Sequence, residues 1–214
     1  LEQWRPKLTS NETPLSPYRV LWDLLHTVDV SETVITHDAG SPRDQLSPFW
    51  ESITPLSYIG WGKTTQLGYG LGLAMGAKLA HPDRDVACIT GEGSIQMCIQ
   101  ELSTCKQYRL PIKIVNLNNR YMGMVRQWQE FFHGNRYAES YMDALPDFVR
   151  LAESYGHVGM RIDKPADVEG ALKEAFAMKD RLVFLDFITD QTENVFPMVP
   201  GGKGMSEMIL SEEL

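Results

Sequence analysis

The chain has little of what would make it a secreted, membrane-bound or nucleic-acid-binding protein. It has only three cysteines among 214 residues, Cys88, Cys98 and Cys105. An odd count without a regular framework excludes a disulfide scaffold, and the three read as small core residues in a reducing compartment. Cys98 and Cys105, seven apart on an expected helix, would share one buried face. Long apolar runs are missing: no stretch approaches the roughly 18–20 residues of a membrane span. Leu1–Lys7 has the pattern of neither a signal nor a transit peptide, and a cytoplasmic location is expected. The chain opens without Met on a polar stretch containing Pro6, which reads as a cut in an interdomain linker and the chain as a fragment.

Basic charge is also in deficit. Lys and Arg total 20 against 28 Asp and Glu, for a net charge of −8. This opposes binding to nucleic acid or an anionic membrane surface, both of which need a basic footprint. It does not oppose a small phosphorylated ligand, which needs only local N–H donors. The five histidines (26, 37, 81, 133 and 157) lack zinc-ligand spacing. No Gly-x-Ser-x-Gly elbow, Walker loop, internal repeat or low-complexity segment is present.

What remains has an ordinary globular composition, 43% hydrophobic and 22% charged. Residues 1–16 read as a linker, 17–190 as one domain and 191–214 as a closing tail rich in Pro and Gly. Pro17 opens a helix carrying Val20, Leu21, Leu24 and Leu25. Val34–His37 is a strand, and residues 41–63 read as an irregular loop. The glycine- and alanine-rich run Leu67–Ala80 suits a helix packed very close to another backbone, since free helical glycines cost about 1 kcal/mol each. The second half alternates. Strands are expected at Asp85–Thr90, Ile112–Leu117, Val158–Ile162 and Leu182–Ile188. Helices are expected at Ile95–Tyr108, Met124–Phe132, Pro146–Tyr155 and Ala166–Ala177. This order predicts an α/β fold, a parallel sheet with helices on both faces.

In such a sheet, ligands sit at the carboxyl ends of strands near a switch point. The strand Asp85–Thr90 runs into Gly91-Glu92-Gly93-Ser94, where glycines let N–H groups approach a phosphate. Glu92 beside that phosphate is unfavourable without a bridging cation, for which magnesium is suited. Strand Ile112–Leu117 ends in Asn118-Asn119, whose amide oxygen suits the same ion. Asp38-Ala39-Gly40-Ser41 ends the first strand with further donors. Each element alone is a common turn; their conjunction is the signal.

Gly91-Glu92-Gly93, 24 intervening residues and Asn118-Asn119 resemble the thiamine-diphosphate motif. The surrounding GEGSIQMCIQEL, LNNRYMGMVRQWQ, SYMDALPDFVRLAESYGHV and NVFPMVPGGKG are similar to the catalytic subunit of acetolactate synthase. The resemblance is dense from about 85 to 210 and weaker from 17 to 84. It implies a pyrophosphate-binding domain of the thiamine-diphosphate fold. It also implies condensation of two 2-keto acids with loss of CO2, pyruvate with pyruvate or 2-ketobutyrate, in branched-chain amino-acid biosynthesis. Glu92, Asn119 and the carbonyl of Tyr121 would hold Mg2+. Gly40, Ser41, Gly91, Gly93, Ser94 and Gly123 would hold the diphosphate. Leu67 would bend the cofactor into a V, and the Thr65 carbonyl would accept from its amino group. Met124, against the cofactor, and Trp128, one helical turn on, would line the substrate channel.

The family commonly has Asp where this chain has Glu92, and the stretch 38–66 departs from the usual synthase sequence. The resemblance further implies FAD in the complete enzyme, a homodimer or homotetramer, and in some cases a small regulatory subunit. The activating glutamate would come from a separate pyrimidine-binding domain, and FAD would bind a middle domain; 214 residues have no room for either. The isolated chain is therefore expected to be inactive. Alternatives are another thiamine-dependent keto-acid decarboxylase or carboligase, and a non-catalytic module of the same fold.

Overall fold

The computed structural model describes residues 2–60, 62, 64 and 66–210. A 3-10 turn (Glu2–Trp4) and a one-turn helix α1 (Arg5–Leu8) lead to α2 (Pro17–Thr27), β1 (Thr33–His37), α3 (Ser41–Leu46) and β2 (Tyr58–Ile59). Next come α4 (Tyr69–Ala80), β3 (Asp85–Thr90), α5 (Glu92–Gln96), α6 (Glu101–Gln107), β4 (Lys113–Asn118) and α7 (Gly123–Phe132). The last elements are α8 (Phe148–Ser154), β5 (Val158–Ile162), α9 (Pro165–Ala177), β6 (Val183–Ile188) and a 3-10 turn (Met205–Glu207).

The six strands form one sheet in the order β2-β1-β3-β4-β6-β5, and every pair is parallel. Alternate side chains feed two cores. Ile35, Ile89, Val115, Leu185 and Phe187 meet Leu21 and Leu24 of α2 and Val168 and Leu172 of α9. On the other face Val34, Cys88, Ile114 and Phe184 meet Leu71 and Ala74 of α4, Leu102 of α6 and Phe148 of α8. The Phe148 and Phe184 rings stack with centroids 5.6 Å apart. The expected layered fold, with helices on both faces, is therefore present.

Two local expectations need correction. Residues 41–63 are not wholly irregular, because they hold α3 and β2. Pro42 is compatible with a helix because it occupies the first turn, where no N–H partner is lost. β2, two residues long, is too short to show a period. The single helix expected over Ile95–Tyr108 is two, α5 and α6. Cys98 lies in the turn between them, and both Cys98 and Cys105 still reach the α4-side core.

The described part of 1–16 is folded onto the domain. Leu8 and Leu15 are buried, Trp4 packs against Tyr18 and Phe49, and Leu15 bridges Thr189 in parallel. In the tail, Val195 and Phe196 are buried, and the Gln127 side chain bonds both the N–H and the carbonyl of Val195, at 2.7 and 2.9 Å.

Close packing of α4 rests on particular glycines. A Cβ on Gly70 would lie 3.1 Å from the backbone of His37 and Asp38, whereas Gly72 and Gly76 face open space. Gly70→Ala should therefore destabilise the fold by about 1–3 kcal/mol through overpacking. Gly72→Ala and Gly76→Ala should each stabilise it by up to about 1 kcal/mol through helix propensity. Urea denaturation of the three variants checks the contrast, and equal effects at all three positions would refute it.

Candidate active site

β1 and β3 are neighbours whose onward connections leave in opposite directions, and this is the switch point of the sheet. The carboxyl ends of β1, β3, β4 and β6 meet there around a cavity of about 150 Å³. Asp38, fully buried at the end of β1, fixes one wall. Its carboxylate accepts from the N–H of Ala39 at 2.9 Å, of Gly68 at 2.8 Å and of Gly70 at 3.4 Å, and from the Thr90 hydroxyl at 3.4 Å. Burial raises its pKa, and the accepted hydrogen bonds work against that rise. Asp38 thus ties the turn carrying Leu67 to the end of β3. Gly68 needs its positive φ of 86°, and a side chain there would strike Met97. Leu67, 41% exposed, is left projecting into the cavity.

From the end of β3, Gly91, Glu92, Gly93 and Ser94 line the cavity. Glu92 is 1% exposed, and its Oε1 is buried with no hydrogen-bond partner. Burial pushes its pKa up to about 7, opposed by the N–H groups of Glu92 itself, Tyr121 and Asn119. The carboxylate from one strand end therefore faces the backbone of the other.

Along β4, neighbouring amides divide. Asn118 turns into the sheet and, with Asn116, donates to Asp186 of β6 at 3.0 and 2.9 Å. Asn119 lines the cavity, and its Oδ1 accepts from the Tyr121 N–H at 3.0 Å. The loop 120–122 is clamped by the segment 140–142, through Met122 N–H to the Ser140 carbonyl and Met142 N–H to the Arg120 carbonyl. The glycine at 123 is required by close approach: a Cβ there would lie 2.4 Å from Ser41 Oγ and 3.1 Å from Asn119 Nδ2. α7 then begins with Gly123, Met124 and Val125 on the cavity wall, where first-turn N–H groups lack helical partners.

No group of three or more His, Cys, Asp and Glu is poised for a metal among the described residues. The donor set here, one orphaned carboxylate with an amide and a backbone carbonyl, instead suits a hard, oxygen-seeking cation that completes its shell from phosphates and water. A second, wider groove of about 610 Å³ adjoins the cavity and is lined by Met124, Val125, Trp128, Gln129, His133 and Arg136.

Residues 38–187 match the family described as thiamine pyrophosphate enzyme, C-terminal TPP binding domain. The chain belongs to that family. It is 44% identical over 218 residues to the acetolactate synthase isozyme 3 large subunit of Escherichia coli, covering 99% of this chain and 38% of that protein. The acetolactate synthase large subunit of Haemophilus influenzae is 41% identical, with 99% and 38% covered. The probable acetolactate synthase large subunit of Methanocaldococcus jannaschii is 35% identical, with 95% and 35% covered. The chain thus spans less than two fifths of the length of these relatives.

In this TPP-binding domain the cavity gathers Gly40, Ser41, Leu67, Gly91, Glu92, Gly93, Ser94, Asn119, Tyr121, Gly123 and Met124, all singled out from sequence. Thr65 lies outside the described residues. Trp128 lines the adjoining groove, and Met124 belongs to both. Sequence reasoning missed the bracing by Asp38, the buried Asp186 beneath Asn118, and Gln45 in the cavity wall. Asp38 lay within a stretch flagged only for its donors, and Asp186 had no local signal within an apolar strand. Among the described residues, no helix is long and apolar enough to cross a membrane.

The raised pKa of Glu92 has a definite sign for stability. The folded chain holds this proton up to about pH 7, whereas an unfolded glutamate releases it near 4.5, so stability falls as pH rises through that window. The loss in the ligand-free chain should be of order 3 kcal/mol. Glu92→Gln should remove it, leaving the variant more stable than the parent at pH 8. Urea midpoints at pH 5 and pH 8 decide the matter, and parallel pH dependence in the two proteins would contradict it.

Proposed function

We propose that the chain is the cofactor-binding part of an acetolactate synthase. The enzyme would condense two 2-keto acids, pyruvate with pyruvate or 2-ketobutyrate, with loss of CO2, in branched-chain amino-acid biosynthesis. The observation that carries this reading is the buried, partnerless Glu92 Oε1 in a cavity shared with Asn119 and two glycine turns. The names of the relatives supply the reaction class.

On this reading Glu92, the Asn119 side chain and the Tyr121 carbonyl hold Mg2+. Backbone groups at Gly40, Ser41, Gly91, Gly93, Ser94, Gly123 and Met124 take the diphosphate. Leu67 supports the bent cofactor, and the Thr65 carbonyl receives its amino group. When bound, the thiazolium supplies the electron sink that decarboxylation of a 2-keto acid requires. The protein contributes geometry. Asp38 fixes the turn that aims Leu67, the 140–142 clamp fixes the Tyr121 carbonyl, and Met124 and Trp128 present an apolar wall to the second keto acid. Pyrimidine-binding and FAD-binding middle domains, a homodimeric or homotetrameric state, a small regulatory subunit and a cytoplasmic location belong to the same proposal.

The test uses the complete protein. Calorimetry should show thiamine diphosphate binding that depends on Mg2+. Glu92→Ala should weaken the metal by at least the roughly 10–100-fold that losing even an outer-shell partner costs. The turnover product from pyruvate should be acetolactate, and the 214-residue chain alone should form none. Free aldehyde as the main product would move the assignment to a decarboxylase, and unchanged metal affinity in Glu92→Ala would remove that residue from the site.

A further inference from the structure

Among the described residues, the wall of the cavity contains no Lys, Arg or His, and it contains two carboxylates, Glu92 and Asp190. An anionic tail entering it depends on a cation and on neutral donors. Three polar side chains of the wall are committed: Ser94 donates to the Ala39 carbonyl, Asn119 accepts from Tyr121, and Asp190 accepts from Thr192 and Glu193. Gln45 is different. It is 3% exposed, lines the cavity and makes no hydrogen bond to any described residue. It sits four residues after Ser41 on α3, so the two side chains share a helix face.

Pro17, Gln45, Leu117 and Thr189 are all buried, whereas Leu67 and Met122 are each 41% exposed. We propose that Gln45 is a binding residue for the diphosphate, donating its amide N–H to a phosphate oxygen. A primary amide brings two N–H donors without the desolvation cost of a buried cation. Its amide makes no hydrogen bond to a described residue that would serve the fold, so Gln45 is explained by the ligand and not by stability. This inference rests on the cofactor reading above and adds a residue that the strand-end motifs do not contain.

The experiment compares the complete parent protein with Gln45→Leu and the isosteric Gln45→Glu, in Mg2+ at pH 8. Thiamine diphosphate and inorganic pyrophosphate serve as probes by calorimetry, and melting of the ligand-free proteins is measured alongside. Gln45→Leu should weaken both probes about tenfold, the worth of one hydrogen bond to a charged group, with no fall in ligand-free melting temperature. Gln45→Glu should weaken both by about 100-fold or more, because its charge opposes the phosphate. Binding within twofold of the parent in both variants overturns the proposal while leaving the cofactor reading intact. A lower ligand-free melting temperature in Gln45→Leu also overturns it, because the amide then serves the fold. A parent that binds neither probe ends the cofactor reading and this inference together. Should Gln45→Leu fail to fold, the isosteric Gln45→Glu still decides.

Discussion

The rest of the site depends on one unfavourable fact, a buried carboxylate at Glu92 with one oxygen, Oε1, left without a partner. Removing an ionised carboxylate from water costs several kcal/mol unless a counter-charge or a proton compensates it. Among the described residues no side-chain cation lines this cavity, and the neighbouring N–H groups soften the cost without cancelling it, as the displacement of the pKa to about 7 records. Compensation has to come from outside the chain. A divalent cation meets that demand, and it still needs oxygen ligands that the protein does not supply in number. A diphosphate supplies them. On the proposed function, cation and phosphorylated cofactor are coupled requirements of one side chain's burial.

Geometry at the site comes from a second buried carboxylate with the opposite arrangement. Asp38 is sealed as completely as Glu92, yet it is surrounded by donors from Ala39, Gly68, Gly70 and Thr90. A satisfied buried carboxylate rigidifies its surroundings; an unsatisfied one recruits a ligand. The two stand at the ends of neighbouring strands β1 and β3. Asp186, between them in character, holds Asn116 and Asn118 on the adjoining strand and contributes to raising the pKa of Glu92. Three carboxylates in similar burial therefore do three different things, set by the donors each one meets.

That contrast also explains how much was legible beforehand. The alternation of strands and helices, and the Gly91–Gly93 and Asn118–Asn119 turns, are local patterns, and the fold followed from them; of the eleven lining residues, Leu67, Tyr121, Gly123 and Met124 came only with the family resemblance. Thr65 remains beyond the described residues. The break between α5 and α6 was missed because the run 95–108 keeps an apolar spacing that either one helix or two can satisfy. β2 was missed because two residues carry no period. α3 was hidden by Pro42, which reads as a breaker until its place in the first turn is known. Gly68, Gly70 and Thr90 about Asp38, and Asn116 and Asn118 about Asp186, lie 30 to 70 positions away, a separation that single-chain periodicity does not encode. Gln45 was invisible for a different reason, since an unmet amide is defined by what surrounds it and not by its spacing.

The surface beside the cavity follows the same logic on the apolar side. Val125, Trp128 and Phe132 on α7 are 45–51% exposed, and the polar flank of that helix is fully engaged. Arg126 pairs with Glu130 at 2.6 Å and bonds Asn194 at 3.1 Å, while Gln127 bonds Val195. Tethering the tail to one flank fixes the rotation of α7 and so forces its aromatic flank outward, over the groove that Met124 and Trp128 share. Exposed aromatics of this size usually meet a partner or a ligand. In a chain spanning 38% of its relatives' length, the proposed function gives that face an occupant, the remaining domains with the second keto acid between. On that proposal the tail contacts at Asn194 and Val195 would matter to specificity, because they set which side of α7 faces the groove.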